Sequence, residues 1–249
     1  MLRLIALTCL LNSSIVFSKP VDKIISLDLC SDWLLVHYAE KSQILALSSY
    51  IHRYPTNWVG LDWPTHDGSL EQILALQPDL VITGEYNAMI LRQRLIDLGV
   101  NVKILTLPKS LKNVVDYEEE FLHTIGRPLD LASTPPLPGQ TKNKNLLLLG
   151  ANGIGTGKET FENDLLQHAG WNNYLDQSGY INLNLEELVV NPPDVIMWSA
   201  PHSQALANQF AKHPVLKKAI PKSNWISSTY WNWQCPGPWT WNLVEELNR

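Results

Sequence analysis

Charge is scarce in this chain: 17% of its 249 residues are Asp, Glu, Lys or Arg, and they sum to −5. No basic stripe is present to neutralise phosphates, which excludes nucleic acid as a partner. Arginine is scarcer still. Beyond residue 18 the arginines are Arg53, Arg92, Arg94, Arg127 and Arg249, a poor supply for gripping a strongly anionic ligand. The cysteines are Cys9, Cys30 and Cys235, with none of the spacings of a metal site. There is no G-x-S-x-G elbow and no H-E-x-x-H, so no catalytic constellation emerges and no enzyme is expected. The seven histidines are scattered. The apolar run at residues 4–11 is far too short to cross a bilayer.

That run has another use. MLRLIALTCLLNSSIVFS, residues 1–18, combines a basic Arg3, the short apolar stretch and a small-residue end at Val16-x-Ser18. These are the parts of a signal for export, and a mature chain starting at residue 19 is expected. Too little apolar sequence precedes Cys9 for a lipid anchor there. Export leaves Cys30 and Cys235, which in an oxidising compartment are either a disulfide or two separately buried thiols.

The strongest internal signal is a pattern that occurs twice. LEQILALQPDLVI at 70–82 and LEELVVNPPDVIM at 185–197 align without a gap, 115 residues apart, with Leu70/Leu185, Glu71/Glu186, Pro78/Pro193 and Asp79/Asp194 identical. Each copy reads as a cap (Ser69 or Asn184), a short amphipathic helix, a proline stop and an apolar strand. Ser69 with Gln72, and Asn184 with Glu187, form capping boxes. Glu71 and Glu186 fall one position earlier and are left free to point outwards. Two such units in different halves predict two similar α/β lobes.

The rest of the pattern agrees. Strands are predicted at 21–27, 44–48, 102–107, 146–149 and 224–228, and helices at 30–38, 90–98, 110–125, 161–169, 213–219 and 239–247. Alternating strands and helices favour parallel sheets. Four prolines in RPLDLASTPPLPGQTKNKN, 127–145, exclude a continuous helix and mark the boundary, giving lobes at 19–126 and 146–249. GANGIGTGKET, 150–160, fails as a P-loop because Glu159 follows Lys158 and Asn152 stands where the first glycine belongs. It reads as a strand-to-helix turn capped by Thr160.

Aromatic residues crowd the predicted loops. Tyr50, Tyr54, Trp58 and Trp63 lie in one region, Tyr86 follows one repeat strand, Trp198 ends the other, and YWNWQCPGPW at 230–239 carries Tyr230, Trp231, Trp233 and Trp239. Ring-rich loops from both halves suggest a flat, partly apolar ligand held by stacking.

With these pieces assembled, the chain resembles the periplasmic substrate-binding proteins of iron-siderophore and cobalamin ABC importers. The carriers are IISLDLCSDWLL, HDGSLEQILALQPDLVI, TGKETFENDLLQHAGWNNYL, LEELVVNPPDVIM and the closing W-x-C-x-G-P. The resemblance implies two Rossmann-like lobes joined by a single connector, with a ligand in the cleft between them. It implies capture of a metal chelate, an iron-siderophore or a corrinoid, by a monomer without a cofactor of its own. It also implies delivery to an inner-membrane permease with its ATPase, with Glu71 and Glu186 meeting permease arginines. The ligand-binding candidates are Tyr50, Tyr54, Trp63, His66 and Tyr86 from the first lobe, and Trp198, Tyr230, Trp231 and Trp233 from the second.

Two departures stand out. The family connector is a long helix, whereas 127–145 is proline-rich and predicts a looser coupling between lobes. The tryptophans flanking the first repeat in the cobalamin proteins are replaced near His66 and Gly84, which weakens cobalamin against a hydroxamate chelate. Two alternatives remain: a receptor for free zinc or manganese built on His52, His66, Glu85 and His202, and an enzyme on the same scaffold.

Overall fold

The computed structural model describes residues 21–54, 56–60, 62–199, 208–228 and 230–248. The export segment expected at 1–18 lies outside them. The first half runs β1 (Ile24–Ser26), α1 (Leu29–Tyr38), β2 (Ile44–Ser48), α2 (Tyr50–Arg53), β3 (Thr65–His66), α3 (Leu70–Leu76), β4 (Leu80–Gly84), α4 (Met89–Asp97), β5 (Val102–Leu105) and α5 (Lys112–Thr124). The second runs β6 (Asn145–Leu149), β7 (Ile154–Thr156), α6 (Phe161–His168), β8 (Asn172–Asn173), β9 (Tyr180–Asn182), α7 (Leu185–Val190), β10 (Val195–Trp198), α8 (Gln209–Lys212), α9 (Pro214–Ala219), β11 (Trp225–Ser227), α10 (Tyr230–Gln234) and α11 (Trp239–Asn248).

Two sheets result, with strand orders β3-β2-β1-β4-β5 and β11-β10-β6-β7-β9. The two copies of the repeat occupy matching places. β4 lies beside β1, and β10 lies beside β6, each pair parallel. Both central strands are apolar on both faces, as a sheet covered on each side requires. Leu146 and Leu148 enter one core and Leu147 and Leu149 the other; Ile24 and Ile25 divide in the same way.

The sheets differ in one respect. The first is parallel throughout, whereas β7 runs antiparallel to both β6 and β9. The cause is the glycine-rich segment read as a strand-to-helix turn. Asn152 and Gly153 take positive φ, 58° and 70°, and Gly150 N–H donates to the Ile154 carbonyl at 2.8 Å. The chain therefore doubles back and adds a strand before α6.

The caps are local variants of those expected. Ser69 Oγ accepts from Gln72 N–H, but Gln72 Oε1 accepts from Asp67 N–H rather than Ser69 N–H. Asn184 Oδ1 accepts from Glu186 N–H at 2.8 Å, not from Glu187. Both helices begin where the sequence put them.

The connector 127–145, from which a looser coupling between lobes is expected, is hydrogen-bonded to the second lobe. Proline removes donors, but the residues after the last proline, Pro138, keep theirs and use them. Gly139 N–H donates to His168 O at 2.7 Å and Lys142 N–H to Gly170 O at 2.8 Å. α5 also serves both lobes, sending Leu111 and Val114 into the second core and Tyr117, Phe121, Leu122 and Ile125 into the first. α11 does likewise, with Trp239 in the first core and Trp241, Leu243 and Val244 in the second. Cys30 and Cys235 form a disulfide, with Cα atoms 4.9 Å apart.

One buried acid gives the fold a pH dependence. Asp32 on α1 is fully buried; Ser48 N–H donates to its Oδ1 at 2.8 Å, and the Ser26 and Ser48 hydroxyls sit on its two oxygens. Loss of solvation outweighs these bonds and pushes its carboxyl up to about 8. The folded state therefore holds a proton that the unfolded chain releases above its ordinary value of 3.8. Stability is full at acid pH and falls as pH rises through that window, by up to about 1.4 kcal/mol per unit. Urea midpoints measured at pH 5 and pH 8 should drop with pH, and Asp32→Asn should flatten the slope. An unchanged slope in that variant would remove Asp32 as the source.

Candidate functional site

Ligands of open α/β sheets bind beyond the carboxyl ends of the strands, and a cavity of about 300 Å³ opens there between the two sheets. Its first-lobe wall comes from the ends of β4 and β5: Glu85, Tyr86, Leu107, Pro108 and Lys109. Its second-lobe wall comes from the start of α6 (Glu159, Thr160, Phe161, Glu162), from Tyr180 on β9, and from Trp233, Gln234 and Pro236.

The first wall is held from beneath. Asp28, the cap of α1, accepts from Thr83 Oγ1 at 3.0 Å and Gly84 N–H at 2.8 Å. Glu85 Oε1 accepts from Leu107 N–H at 2.9 Å, which joins the two strand ends. The Arg92 guanidinium donates to the Gly84 and Glu85 carbonyls at 3.0 and 2.7 Å. Tyr86 stands on this base, 69% exposed, with its ring open to the cavity.

The second wall is set by the cap of α6, where Thr160 Oγ1 accepts from Asn163 N–H. That places Phe161 and Glu162 in the first turn, both nearly buried. The Tyr180 hydroxyl donates to Glu162 at 3.2 Å. Burial pushes the Glu162 carboxyl above the ordinary glutamate range, with the Tyr180 hydrogen bond opposing the rise. Trp233 belongs to this wall and to the second core, its Nε1 donating to Ser228 Oγ at 2.9 Å.

The sequence candidates divide accordingly. Tyr86 and Trp233 line the cavity. Tyr50 opens α2 and Tyr54 caps its end, both exposed, with rings stacked 6.4 Å apart and outside the cavity wall. Trp63 is half-buried beneath Lys41, whose Nζ is 5.0 Å from the ring. His66 is buried, not open to a ligand. Its Nε2 lies 2.7 Å from the Ser26 carbonyl, and its Nδ1 accepts from Gly68 N–H at 3.0 Å. Trp198 packs edge-on against Trp225. Tyr230 and Trp231 belong to α10, and their side chains lie outside the described set. Trp58 and Trp239 stack on each other 5.3 Å apart, so those rings are packing rather than cleft.

Glu71 and Glu186 are exposed in the first turns of α3 and α7. Phe161, Glu162 and Tyr180 went unrecognised as cleft residues. The available signal was the Thr160 cap, which put the following turn at a strand end; Tyr180 lies on a strand that no pattern announced. Among the described residues no three His, Cys, Asp or Glu side chains gather as a metal site. His202, a candidate of the free-ion alternative, lies outside them.

No protein-family profile matches the chain, and no curated protein matches it. Solved structures do. A possible iron-binding (periplasmic solute-binding) protein from Staphylococcus epidermidis superposes with a TM-score of 0.72 at 18% identity, covering 93% of this chain and 100% of that one. A periplasmic heme-binding protein from Pseudomonas aeruginosa gives 0.69 at 16% identity, covering 92% and 91%. The periplasmic vitamin B12-binding protein of Vibrio cholerae gives 0.63 at 19% identity, covering 92% and 96%. The chain thus has the two-lobed α/β fold of these periplasmic binding proteins.

Proposed function

We propose that the protein is a periplasmic receptor that captures a metal chelate between its lobes and delivers it to an inner-membrane ABC permease with its ATPase. The observation that carries this reading is the interlobe cavity, lined by Tyr86 from one lobe and by Phe161, Tyr180 and Trp233 from the other. Rings on opposed walls suit a flat or globular chelate with an apolar surface, gripped from both sides. The iron, heme and vitamin B12 proteins of the same fold support the ligand class and the compartment, and the export signal read in residues 1–18 of the sequence fits the compartment.

A free-ion receptor fits less well. His66 is spent on Ser26 and Gly68, and Glu85 on Leu107 N–H. Receptor function needs no bond to be made or broken; it needs a higher affinity in the closed than in the open arrangement. Trp233 reports on the cavity. Titration with ferrichrome, hemin and cyanocobalamin should give saturable, one-to-one quenching of tryptophan fluorescence by at least one of them. Tyr180→Ala should weaken that binding about three- to tenfold, the worth of one ring contact. Quenching by none of the three would overturn the receptor reading.

A further inference from the structure

We propose that this cleft discriminates by charge, taking neutral or cationic chelates and rejecting anionic ones, and that Glu162 sets the discrimination. The inference rests on the receptor reading and specifies its ligand class. Three carboxylates line the cavity, Glu85, Glu159 and Glu162, against one ammonium, Lys109. The Arg92 guanidinium, below the first wall, is spent on the Gly84 and Glu85 carbonyls. Lys158, beside the second wall, is paired with Asp176 at 2.8 Å.

Glu162 is the acid least able to escape. Glu159 is exposed and can turn to water, and Glu85 is held by Leu107 N–H. Glu162 is 4% exposed, with the Tyr180 hydroxyl at 3.2 Å, and both residues line the cavity. A ligand carboxylate or catecholate brought against that wall would meet a like charge wherever the Glu162 carboxyl is ionised, a form that burial opposes and the Tyr180 hydrogen bond favours, with little water to screen it. An amide or ammonium would meet acceptors. The N-terminus of α6 points the same way and by itself favours an anion, but its partial charge is about half a unit. Glu162 and Asp164 already lie in its first turn, and Thr160 occupies the Asn163 N–H. The balance is negative.

Equilibrium dialysis with three ferric chelates tests this: ferrioxamine B, a cation; ferrichrome, neutral; and ferric enterobactin, an anion. The expected result is at least about tenfold weaker binding of the anion than of the better of the other two, the effect of one like charge at close range in partly screened surroundings. Glu162→Gln should narrow that gap several-fold. Glu159→Gln, on the exposed loop where folding is not at risk, should narrow it less. Anion binding as tight as cation binding would overturn the charge inference and leave the receptor standing. A gap that neither substitution changes would remove the acids as its cause. Failure of all three chelates, together with hemin and cyanocobalamin, would instead defeat the receptor reading itself.

Discussion

Replacing Glu118 by leucine is expected to cost about 3–5 kcal/mol of stability, measured as a fall in the urea midpoint. In sequence this residue interrupts the apolar stripe of α5. In the fold it is fully buried and accepts three hydrogen bonds: from Tyr38 Oη at 2.6 Å, from Ser133 N–H at 2.7 Å and from Ser133 Oγ at 2.7 Å. Ser133 Oγ in turn accepts from Trp241 Nε1. One carboxylate thus ties α1, α5, the proline-rich connector and α11 together. Leucine would leave those donors without an acceptor, at about 1–3 kcal/mol for each that water cannot reach. Burial and the adjoining Glu118 hold the Tyr38 phenol in its protonated form, so that donor persists across the working pH range. Glu118→Gln keeps an acceptor and should cost about half as much. A loss below about 1 kcal/mol for leucine would show that water enters and that the network is not what joins the lobes.

The contrast between Glu118 and the repeat shows what a single sequence can reveal. The repeat was legible because its signals are local: a cap, a helical turn, a proline stop and a doubly buried strand follow one another within thirteen residues. The longer helices α1, α5 and α11 were legible too, from apolar spacing within single segments and, for α1, beside its Asp28 cap. β7 and β9 were not, because a glycine-rich strand of three residues and a half-exposed one have neither alternation nor a continuous apolar run. Most partners distant in the chain were out of reach. His66 finds the Ser26 carbonyl 40 residues away; the pairing of Cys30 with Cys235 across 205 was one of two readings that the sequence left open. Trp239, read with the loop aromatics, instead enters the first core beside Trp33. In the cleft, Tyr86 followed a recognisable strand, whereas Glu162 and Tyr180 needed the fold of the second lobe before they could be seen together.

Charge reversal at the two matching acids, Glu71→Lys with Glu186→Lys, is expected to lower permease-dependent uptake more than tenfold while chelate affinity stays within about twofold. The two side chains hold equivalent places in α3 and α7, both exposed. Neither carboxylate is needed to cap its helix, since the Ser69 and Asn184 side chains accept the first-turn N–H groups. Loss of the favourable helix-dipole contact should cost about 0.3–1 kcal/mol at each site, too little to unfold the protein. Neither acid lies in the cavity wall, so capture of the chelate should survive. What the reversal changes is the encounter with a basic partner, where surface charge governs association and register. Alanine at both positions removes the attraction and should act more mildly than lysine, which adds repulsion. Raised salt should shrink the difference among wild type, alanine and lysine, because exposed charges are screened over about 8–10 Å. If basic residues of the proposed permease meet these acids, reversing their charge should restore uptake to the lysine variant. Uptake unchanged by the double reversal would show that these acids only complement their helices, and the docking role would be lost.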